Sequence, residues 1–250
     1  MNAAEKPNTL ENLFDLEQNP FSQITPVSAF CTTKNSGLLL DEHKEERATL
    51  FTQALNLKRP CRFFVPIQKH TDCVYQICDA NTANPPQIPV ADAVICNQPN
   101  TMIAVRTADC VPILLSTKSG NWIGAVHSGW RGTKASLLKK TIEKFILNGV
   151  SCDEVIVWIG PRIAGKNYEV STELAEDFEQ TFTTFSGFRD NRMIDLGIIN
   201  QQLALQAGVP ANQITLSPLC TFEHREFFPS YRRDGYCKTN IYSSLIIMEN

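Results

Sequence analysis

The sequence predicts an α+β fold of α/β-like character, in which a single domain has a central mixed β-sheet core flanked by helices. Short runs of β-branched and apolar residues follow one another between positions 62 and 126, separated by turn-forming residues, which is typical of strands. Longer segments with apolar residues at helical spacing lie before and after these runs. With 250 residues, of which 43% are hydrophobic, the chain can bury the core of one large domain.

The N-terminal part is predicted to contain helix before the strands begin. Residues 1–22 are polar with scattered Leu and Phe, and we expect an arm or short helix that precedes the main domain at 23–250. Residues 41–57 are rich in Glu, Lys, Ala and Leu, and their apolar residues fall on one side. This pattern predicts an amphipathic helix.

Strands are predicted for the apolar runs that follow, at 62–67, 73–78, 93–96, 102–106, 111–115 and 122–126. The last of these leads into His-Ser-Gly-Trp-Arg-Gly at 127–132 and then into a helix at 133–148, which Gly149 follows as a C-terminal cap. A buried strand is predicted at 155–159, and helices at 171–182 and 195–208. A strand at 213–216 and an irregular polar-aromatic tail complete the prediction.

Composition excludes several classes of function. The net charge is −3, so there is no global basic field for nucleic acid or anionic lipid. The chain starts without a signal-peptide pattern and has no apolar run long enough to span a bilayer, so we expect a cytoplasmic protein. Its nine cysteines lack the spacing of a disulfide framework, which favours reduced thiols.

Three residues form a candidate metal site, namely His70, Cys110 and His127. Each lies at or just past the C-terminal end of a predicted strand, where α/β folds place ligand-binding residues. Two imidazoles and a thiolate suit Zn²⁺, and three protein ligands leave the fourth tetrahedral position open for water or substrate. Taken singly, each residue would instead be interpreted as a packed structural side chain.

Charged residues beside apolar strands cost free energy when they are buried, and several such residues around this triad favour a functional site. Arg106 and Asp109 lie beside apolar strands in Arg-Thr-Ala-Asp-Cys at 106–110. Arg131 lies with two glycines at a predicted helix start, where free N–H groups favour phosphate or an oxyanion. The alternative is that the glycines shape a tight turn and that Arg131 makes a local cap.

Aromatic and basic residues also lie together near the C-terminus, in Phe-Phe-Pro-Ser-Tyr-Arg-Arg-Asp-Gly at 227–235. The rings could stack on a planar base while Arg232 and Arg233 contact phosphate or ribose. Equally, the phenylalanines could belong to the core and the arginines to a solvated face.

With these segments in view, the chain resembles the laccase-domain family, also called polyphenol oxidase, YfiH-type or peptidoglycan editing factor. The matching segments span about residues 60 to 240 and are Gln-Lys-His at 68–70, Ala-Asp-Ala at 91–93, Arg-Thr-Ala-Asp-Cys-Val-Pro at 106–112, His-Ser-Gly-Trp-Arg-Gly at 127–132, Ile-Gly-Pro at 159–161 and Ser-Tyr-Arg-Arg-Asp-Gly at 230–235. The resemblance implies a fold shared with cysteine hydrolases and zinc held by His70, Cys110 and His127. It also implies purine nucleoside phosphorolysis, adenosine deamination, methylthioadenosine phosphorolysis and a cytoplasmic link to peptidoglycan precursors.

The chain departs from the family pattern at positions near the expected substrate. Thr71 stands where glycine is usual, Ser128 where alanine is usual, and Tyr-Cys-Lys-Thr-Asn at 236–240 replaces a Thr-Gly-Arg segment. Lys34 stands where the family's N-terminal turn commonly has arginine. These changes leave the metal triad intact and put the choice of substrate in question.

The leading hypothesis is a zinc enzyme acting on a nucleoside and phosphate, as a monomer or homodimer. Asp109 would shuttle a proton or orient a ligand histidine, Arg131 would hold phosphate, and Lys34, Arg106, Arg232 and Arg233 would contact substrate. Copper oxidase chemistry is the first alternative, but four histidines are too few for a multicopper cluster. A second makes Cys110 a nucleophile in a hydrolase or amidase, and a binding module without catalysis is the third.

Overall fold

In this computed structural model, the structure describes residues 11–15, 18–36, 46–58, 60–77 and 88–249. The strands are β1 (Val27–Cys31), β2 (Arg62–Phe64), β3 (Val74–Ile77), β4 (Ala93–Cys96), β5 (Thr101–Thr107), β6 (Val111–Thr117), β7 (Ile123–Ser128), β8 (Val155–Ile159), β9 (Arg189–Asp190), β10 (Met193–Ile194), β11 (Ile214–Leu216) and β12 (Ile241–Ile247). The helices are α1 (Arg47–Ala54), α2 (Trp130–Lys134), α3 (Leu137–Leu147), α4 (Thr172–Thr181), α5 (Leu196–Gln206) and α6 (Tyr231–Asp234). Short 3₁₀ turns lie at Leu13–Asp15, Cys152–Glu154, Gly165–Asn167 and Ala211–Gln213.

The larger strands form two mixed sheets where the sequence predicted one central sheet. The first has six strands in the order β11-β8-β6-β7-β4-β3, with parallel pairs at both edges and antiparallel pairs between. The second has four strands in the order β1-β12-β5-β2. Its first two pairs are antiparallel and β2 pairs with β5 in parallel. The mixed α+β class is confirmed.

Successive side chains along a strand point to opposite faces of its sheet, so each sheet contributes to a hydrophobic core on both of its faces. In β6, Ile113 faces a core shared with the helices, whereas the neighbouring Leu114 faces a core shared with the four-stranded sheet. In β5, Ile103 faces that same core between the sheets, and Met102 faces a third core under α1. The molecule therefore has four layers: α3 to α5, the six-stranded sheet, the four-stranded sheet, and α1. Both sheets are covered on both faces.

The helix predicted at 133–148 is two helices. α2 begins earlier, at Trp130, and a break at Ser136, which has a left-handed φ of 57°, separates it from α3. The other two predictions on this side of the sheet are confirmed as α4 and α5. Ser171 caps α4 by accepting a hydrogen bond from Leu174 N, and Asp195 caps α5 in the same manner.

The predicted irregular tail is wrong, because it contains α6 and the long strand β12. Two adjacent serines interrupt the apolar run of β12, which made it look like a polar segment. Both are buried: Ser244 donates to the carbonyl of Phe30, and the Ser243 hydroxyl lies 3.4 Å from the thiol of Cys31. Polar residues in a buried strand thus have partners on the neighbouring strand.

The described part of the predicted N-terminal arm is packed against the sheets. Leu13 and Phe14 belong to the core between the sheets, and the Phe14 ring lies 4.8 Å from that of Trp158. Of the helix predicted at 41–57, residues 41–45 lie outside the described part of the chain, and α1 occupies much of the rest. All eight described cysteines are free thiols. No described helix is long and apolar enough to cross a membrane.

Candidate active site

The structure brings the three predicted metal ligands together from three segments. His70 lies in the loop between β2 and β3, with a left-handed φ of 59°. Cys110 lies in the tight turn between β5 and β6, and His127 lies within β7 near its end. β6 and β7 are adjacent in the six-stranded sheet, so Cys110 and His127 are held by one scaffold.

The donor atoms lie somewhat farther apart than a bound metal ion would place them. The ligand atoms of His70, Cys110 and His127 all lie within 4.8 Å of one another, and His70 Nε2 is 3.9 Å from Cys110 Sγ. Zinc bonds of about 2.0 to 2.3 Å in a tetrahedral site place donors roughly 3.5 Å apart. A small contraction of the three side chains would complete such a site, so the residues fit a zinc ion.

Asp92 organises both histidines, and the site prediction did not include it. It is fully buried, and its carboxylate lies 2.7 Å from His127 Nδ1. Since a carboxylate accepts, His127 Nδ1 carries the proton and Nε2 is left for a metal. Asp92 also accepts from the backbone N–H of His70 at 3.0 Å and from both the N–H and the hydroxyl of Thr71. Thr71, a departure from the family pattern, therefore supports the metal side of the site.

The charges of these groups are coupled. Burial alone would raise the pKa of Cys110, but the imidazoles of His127 and His70 outweigh it and lower the pKa to about 6. Burial lowers the pKa of His127, whereas Cys110 and Asp92 raise it to about 9. Burial raises the pKa of Asp92, and hydrogen bonds from His127 and Thr71 bring it down to about 2. The neighbouring imidazoles therefore favour the thiolate form of Cys110, which is the form that binds metals and attacks electrophiles.

Gly129 leaves room for the triad. A Cβ atom at this position would lie 3.0 Å from both Cys110 Sγ and His70 Cδ2. Its φ of −72° is open to any residue, so close approach rather than backbone conformation explains the glycine. It also precedes α2, which turns the chain away from the ligands directly after His127.

The triad opens into a cavity of about 620 Å³, a size that suits a nucleoside. Its walls combine aromatic rings, polar groups and the triad, and they are formed by Gln68, His70, Arg106, Thr107, Ala108, Asp109, Cys110, His127, Trp130, Ile163, Tyr168, Leu196, Tyr231, Arg232, Tyr236, Cys237 and Asn240. Tyr231 and Tyr236 are largely exposed, so their rings are open to a ligand. Burial and the nearby Cys110 raise the pKa of Tyr168 to about 12, so its phenol remains a donor.

Two polar groups in the cavity wall lack partners. The Oγ1 of Thr107 and the Nε of Arg106 are buried and accept or donate no hydrogen bond among the described residues. Both residues line the cavity, beside Cys110 in sequence. Buried polar atoms without partners are costly, and a bound ligand is one way to satisfy them.

Asp109 makes contacts that the sequence prediction did not include. Its carboxylate accepts from the Thr221 hydroxyl, from the Ser230 hydroxyl at 3.0 Å and from the backbone N–H of Arg232 at 2.7 Å. It thereby fixes α6 against the β5–β6 turn. The orienting contact to His127, one of two roles predicted for Asp109, is made by Asp92.

The remaining predicted substrate contacts fall in different places. Arg232 lines the large cavity, with its guanidinium 5.0 Å from the centre of the Tyr168 ring. Arg131 is exposed and lies 4.2 Å from the Trp130 ring, and it is not among the residues that line the large cavity. Lys34 and Arg233 line a smaller neighbouring cavity of about 290 Å³.

The other two departures from the family pattern have distinct surroundings. Ser128 is buried, and its hydroxyl bonds to Thr133 and Asn200, so it does not line the large cavity. In the segment 236–240, Tyr236, Cys237 and Asn240 line the large cavity. This segment therefore shapes part of the wall of the large cavity.

Three residues of the candidate site escaped the sequence prediction, and the segments of two of them were noticed. Asp92 stands in the Ala-Asp-Ala segment, and an acid between alanines at the start of a buried strand is a signal of an internal partner. Thr107 lies in the Arg-Thr-Ala-Asp-Cys segment. Tyr168 lies between predicted elements and carried no signal in the sequence.

Known proteins resemble this chain in sequence and fold. A purine nucleoside phosphorylase of Bacteroides thetaiotaomicron is 29% identical, covering 90% of this chain and 93% of that protein. Another, of Aquifex aeolicus, is 35% identical and covers 75% and 84%, respectively. The adenosine deaminase RL5 of an unknown prokaryotic organism is 32% identical and covers 60% and 62%.

The fold is also shared with a solved structure. The crystal structure of YlmD from Geobacillus stearothermophilus superimposes with a TM-score of 0.80, covering 91% of this chain and 94% of that one, at 23% identity. The relation to cysteine hydrolases stays a prediction. Residues 35–249 match the family described as multi-copper polyphenol oxidoreductase laccase, which confirms the resemblance carried by the sequence segments. The chain belongs to this laccase-type family.

Proposed function

We propose that this protein is a zinc-dependent enzyme that deaminates adenosine and cleaves purine nucleosides with phosphate. The observation that carries the proposal is the triad of His70, Cys110 and His127 at the wall of an aromatic cavity of nucleoside size. Relatives named purine nucleoside phosphorylase and adenosine deaminase support it. Zinc would supply Lewis-acid polarisation of a water molecule or phosphate oxygen at its open position.

The protein's own groups would position the nucleoside. Trp130, Tyr168 and Tyr231 offer ring faces for a purine, and base stacking on aromatic rings tolerates different bases. Arg106 and Arg232 provide donors for ribose or phosphate oxygens. The Tyr168 phenol, which keeps its proton, can donate to a ring nitrogen. Arg131 is proposed as a more distant contact for phosphate.

Asp109 is proposed to transfer the proton in deamination. Among the described residues that line the large cavity, it is the acidic one, and it adjoins Cys110. Deamination needs a group that moves a proton from the attacking water to the leaving amine. Phosphorolysis depends less on such a proton transfer, so Asp109→Asn should impair deamination more than phosphorolysis.

The decisive experiment supplies zinc-loaded protein with adenosine, inosine and methylthioadenosine, each with and without phosphate. We expect inosine from adenosine, and free base only when phosphate is present. Cys110→Ala should abolish both, whereas Cys152→Ala, which removes another half-buried thiol, should not. Wild-type protein that retains zinc but releases neither inosine nor free base would refute the proposal.

A second candidate function is a cysteine hydrolase, favoured by the lowered pKa of Cys110 beside His127. A thiolate bound to zinc is a poor nucleophile, so the two functions predict different reactivity. Iodoacetamide should alkylate Cys110 slowly in zinc-loaded protein and quickly after chelation. Equal rates would favour the hydrolase, which would connect to editing of cell-wall peptide precursors in the cytoplasm.

Copper chemistry has weaker support, although the family description names it. The described residues contain one cluster of three or more possible metal ligands, and His43 lies outside them. Oxygen reduction at a multicopper centre needs several such clusters. We expect metal analysis of protein expressed without added copper to find about one zinc per chain and no bound copper.

A further inference from the structure

The smaller cavity next to the active site is strongly basic. It is lined by Lys34, Arg225, Phe228, Pro229, Arg233, Asp234, Tyr236, Cys237, Lys238 and Thr239. We propose that this cavity is a subsite for a phosphate group, either carried by a purine nucleotide or present as free phosphate. The inference rests on the proposed function, because it extends the nucleoside cavity toward an anionic group.

The side chains that line the smaller cavity carry a net positive charge. Four cationic side chains and one carboxylate line this cavity, in a chain whose net charge is −3. Arg233 neutralises Asp234 through two hydrogen bonds, from Nε at 2.8 Å and from Nη2 at 2.7 Å. Neither Arg225 nor Lys238 pairs with a carboxylate among the described residues. The uncompensated charge is therefore positive, which favours an anion.

The geometry of Lys34 is the second argument. Its ammonium donates one hydrogen bond to the carbonyl of Arg225 at 2.8 Å, which fixes its position at the cavity. An ammonium has three donors, so further protons remain available for a ligand. The backbone N–H of Lys34 also bonds to the carbonyl of Phe227, which ties the two segments together.

Hydrogen bonds hold together the backbone segments that carry these cations. The Arg233 guanidinium donates to the carbonyls of Thr221, Phe222 and Phe228, and so holds the segment containing Arg225 against α6. Asp109 fixes the start of α6 in turn. Donors that are held in place before binding lose less entropy when a ligand arrives.

The position of the cavity is the third argument. Tyr236 and Cys237 line both the smaller cavity and the large one, so the two spaces adjoin. Burial, together with Asp109 and Asp234, raises the pKa of Cys237 to about 11, so this shared wall carries no repelling thiolate at neutral pH. A phosphate attached to a nucleoside in the large cavity could therefore extend past these two residues.

Isothermal titration of zinc-loaded protein would test the subsite with three probes: adenosine, adenosine monophosphate and inorganic phosphate. The variants are Arg225→Gln, Lys238→Gln and the double variant. Lys144→Gln is the matched control, because it removes an exposed lysine of α3 that lines neither cavity. Circular dichroism would check that each variant is folded.

We expect the monophosphate to bind wild-type protein at least about tenfold more tightly than adenosine, with each substitution weakening it by roughly three- to tenfold. The affinity for adenosine, which lacks the phosphate, should change much less in these variants. If instead the substitutions weaken the binding of inorganic phosphate, and the monophosphate binds no more tightly than adenosine, the subsite takes free phosphate.

Two results would overturn the subsite: affinities for both phosphate probes that match in wild type and double variant, or an equal loss in Lys144→Gln. Failure of the proposed function looks different. In that case the charge-dependent binding of phosphate would persist while neither nucleoside nor nucleotide is converted.

Discussion

Asp92 and Asp109 are two buried carboxylates that support different parts of the candidate site. Asp92 accepts from His127, His70 and Thr71, and so fixes the metal side. Asp109 accepts from Thr221, Ser230 and Arg232, and so fixes the side formed by α6. Each carboxylate accepts hydrogen bonds from its own side of the site. The side of the candidate metal ligands and the side formed by α6 therefore have separate supports and can be perturbed separately.

The strongest test of this separation is Asp92→Asn. The amide cannot accept from all of the donors that now face the carboxylate, so the loop of His70 and the ring of His127 lose their orientation. Zinc affinity should fall by about 10- to 100-fold. Competition with a chromophoric chelator measures it.

Asp72→Asn is the control, since Asp72 is an exposed carboxylate paired with Lys140 near the same loop. Its zinc affinity should equal that of the wild type. If Asp92→Asn also retains wild-type zinc affinity, Asp92 does not support the metal side.

Asp109→Asn should act on the other side. Loss of charged acceptors for buried donors is expected to lower the free energy of unfolding by about 1 to 3 kcal/mol. Zinc affinity should change less than about threefold, because the Asp109 carboxylate bonds to Thr221, Ser230 and Arg232 and not to the side chains of the three candidate ligands. Urea denaturation and the same chelator assay measure the two quantities. A loss of zinc as large as that of Asp92→Asn would contradict the separation of the two sides.

Gly129→Ala tests the metal side alone, because it crowds two candidate ligands without touching Asp92. The added methyl group would lie 3.0 Å from Cys110 Sγ and His70 Cδ2, so both ligands must shift by a few tenths of an ångström. We expect zinc affinity to drop by about three- to tenfold. Gly132→Ala is matched, since its methyl group would meet Leu137 at an ordinary 3.4 Å. Equal affinities in the two variants would show that the ligands tolerate the methyl group.

Thr107→Val should have the smallest effect. Its hydroxyl oxygen is buried without a partner, so replacing it with a methyl group should leave stability unchanged or slightly higher. If substrate satisfies this hydroxyl, KM for adenosine should rise by roughly two- to fivefold while zinc affinity stays constant. An unchanged KM would indicate that the hydroxyl faces the protein interior and not the ligand.

The sequence predicted correctly that His70, Cys110 and His127 lie together, because they are in segments that place several polar residues beside apolar strands. Their role as metal ligands stays a prediction. An arginine and an aspartate directly beside apolar strands, as at Arg106 and Asp109, are unusual enough to indicate a site. Asp92 was harder to recognise, since its role depends on β4 and β7 lying side by side. Local patterns contain no information on which strands become neighbours.

The same limit explains the errors in the fold. β6 and β7 are adjacent in sequence and were both predicted, whereas β12 was missed because two serines interrupt its apolar run. Their partners, Cys31 and Phe30, belong to β1, far away in the chain. The break at Ser136 was also hidden, since serine is acceptable inside a helical pattern.

The position of β12 has a consequence for the order of folding. This strand lies between β1 and β5, and it pairs Val27 with Ile247. During synthesis, the edges of β1 and β5 therefore stay open until the ribosome has passed residue 247. Open edges of this kind are sites of aggregation, and pairings between distant segments form slowly. The nascent chain thus depends on late completion of its smaller sheet, and agents that shield exposed strands should increase its folding yield.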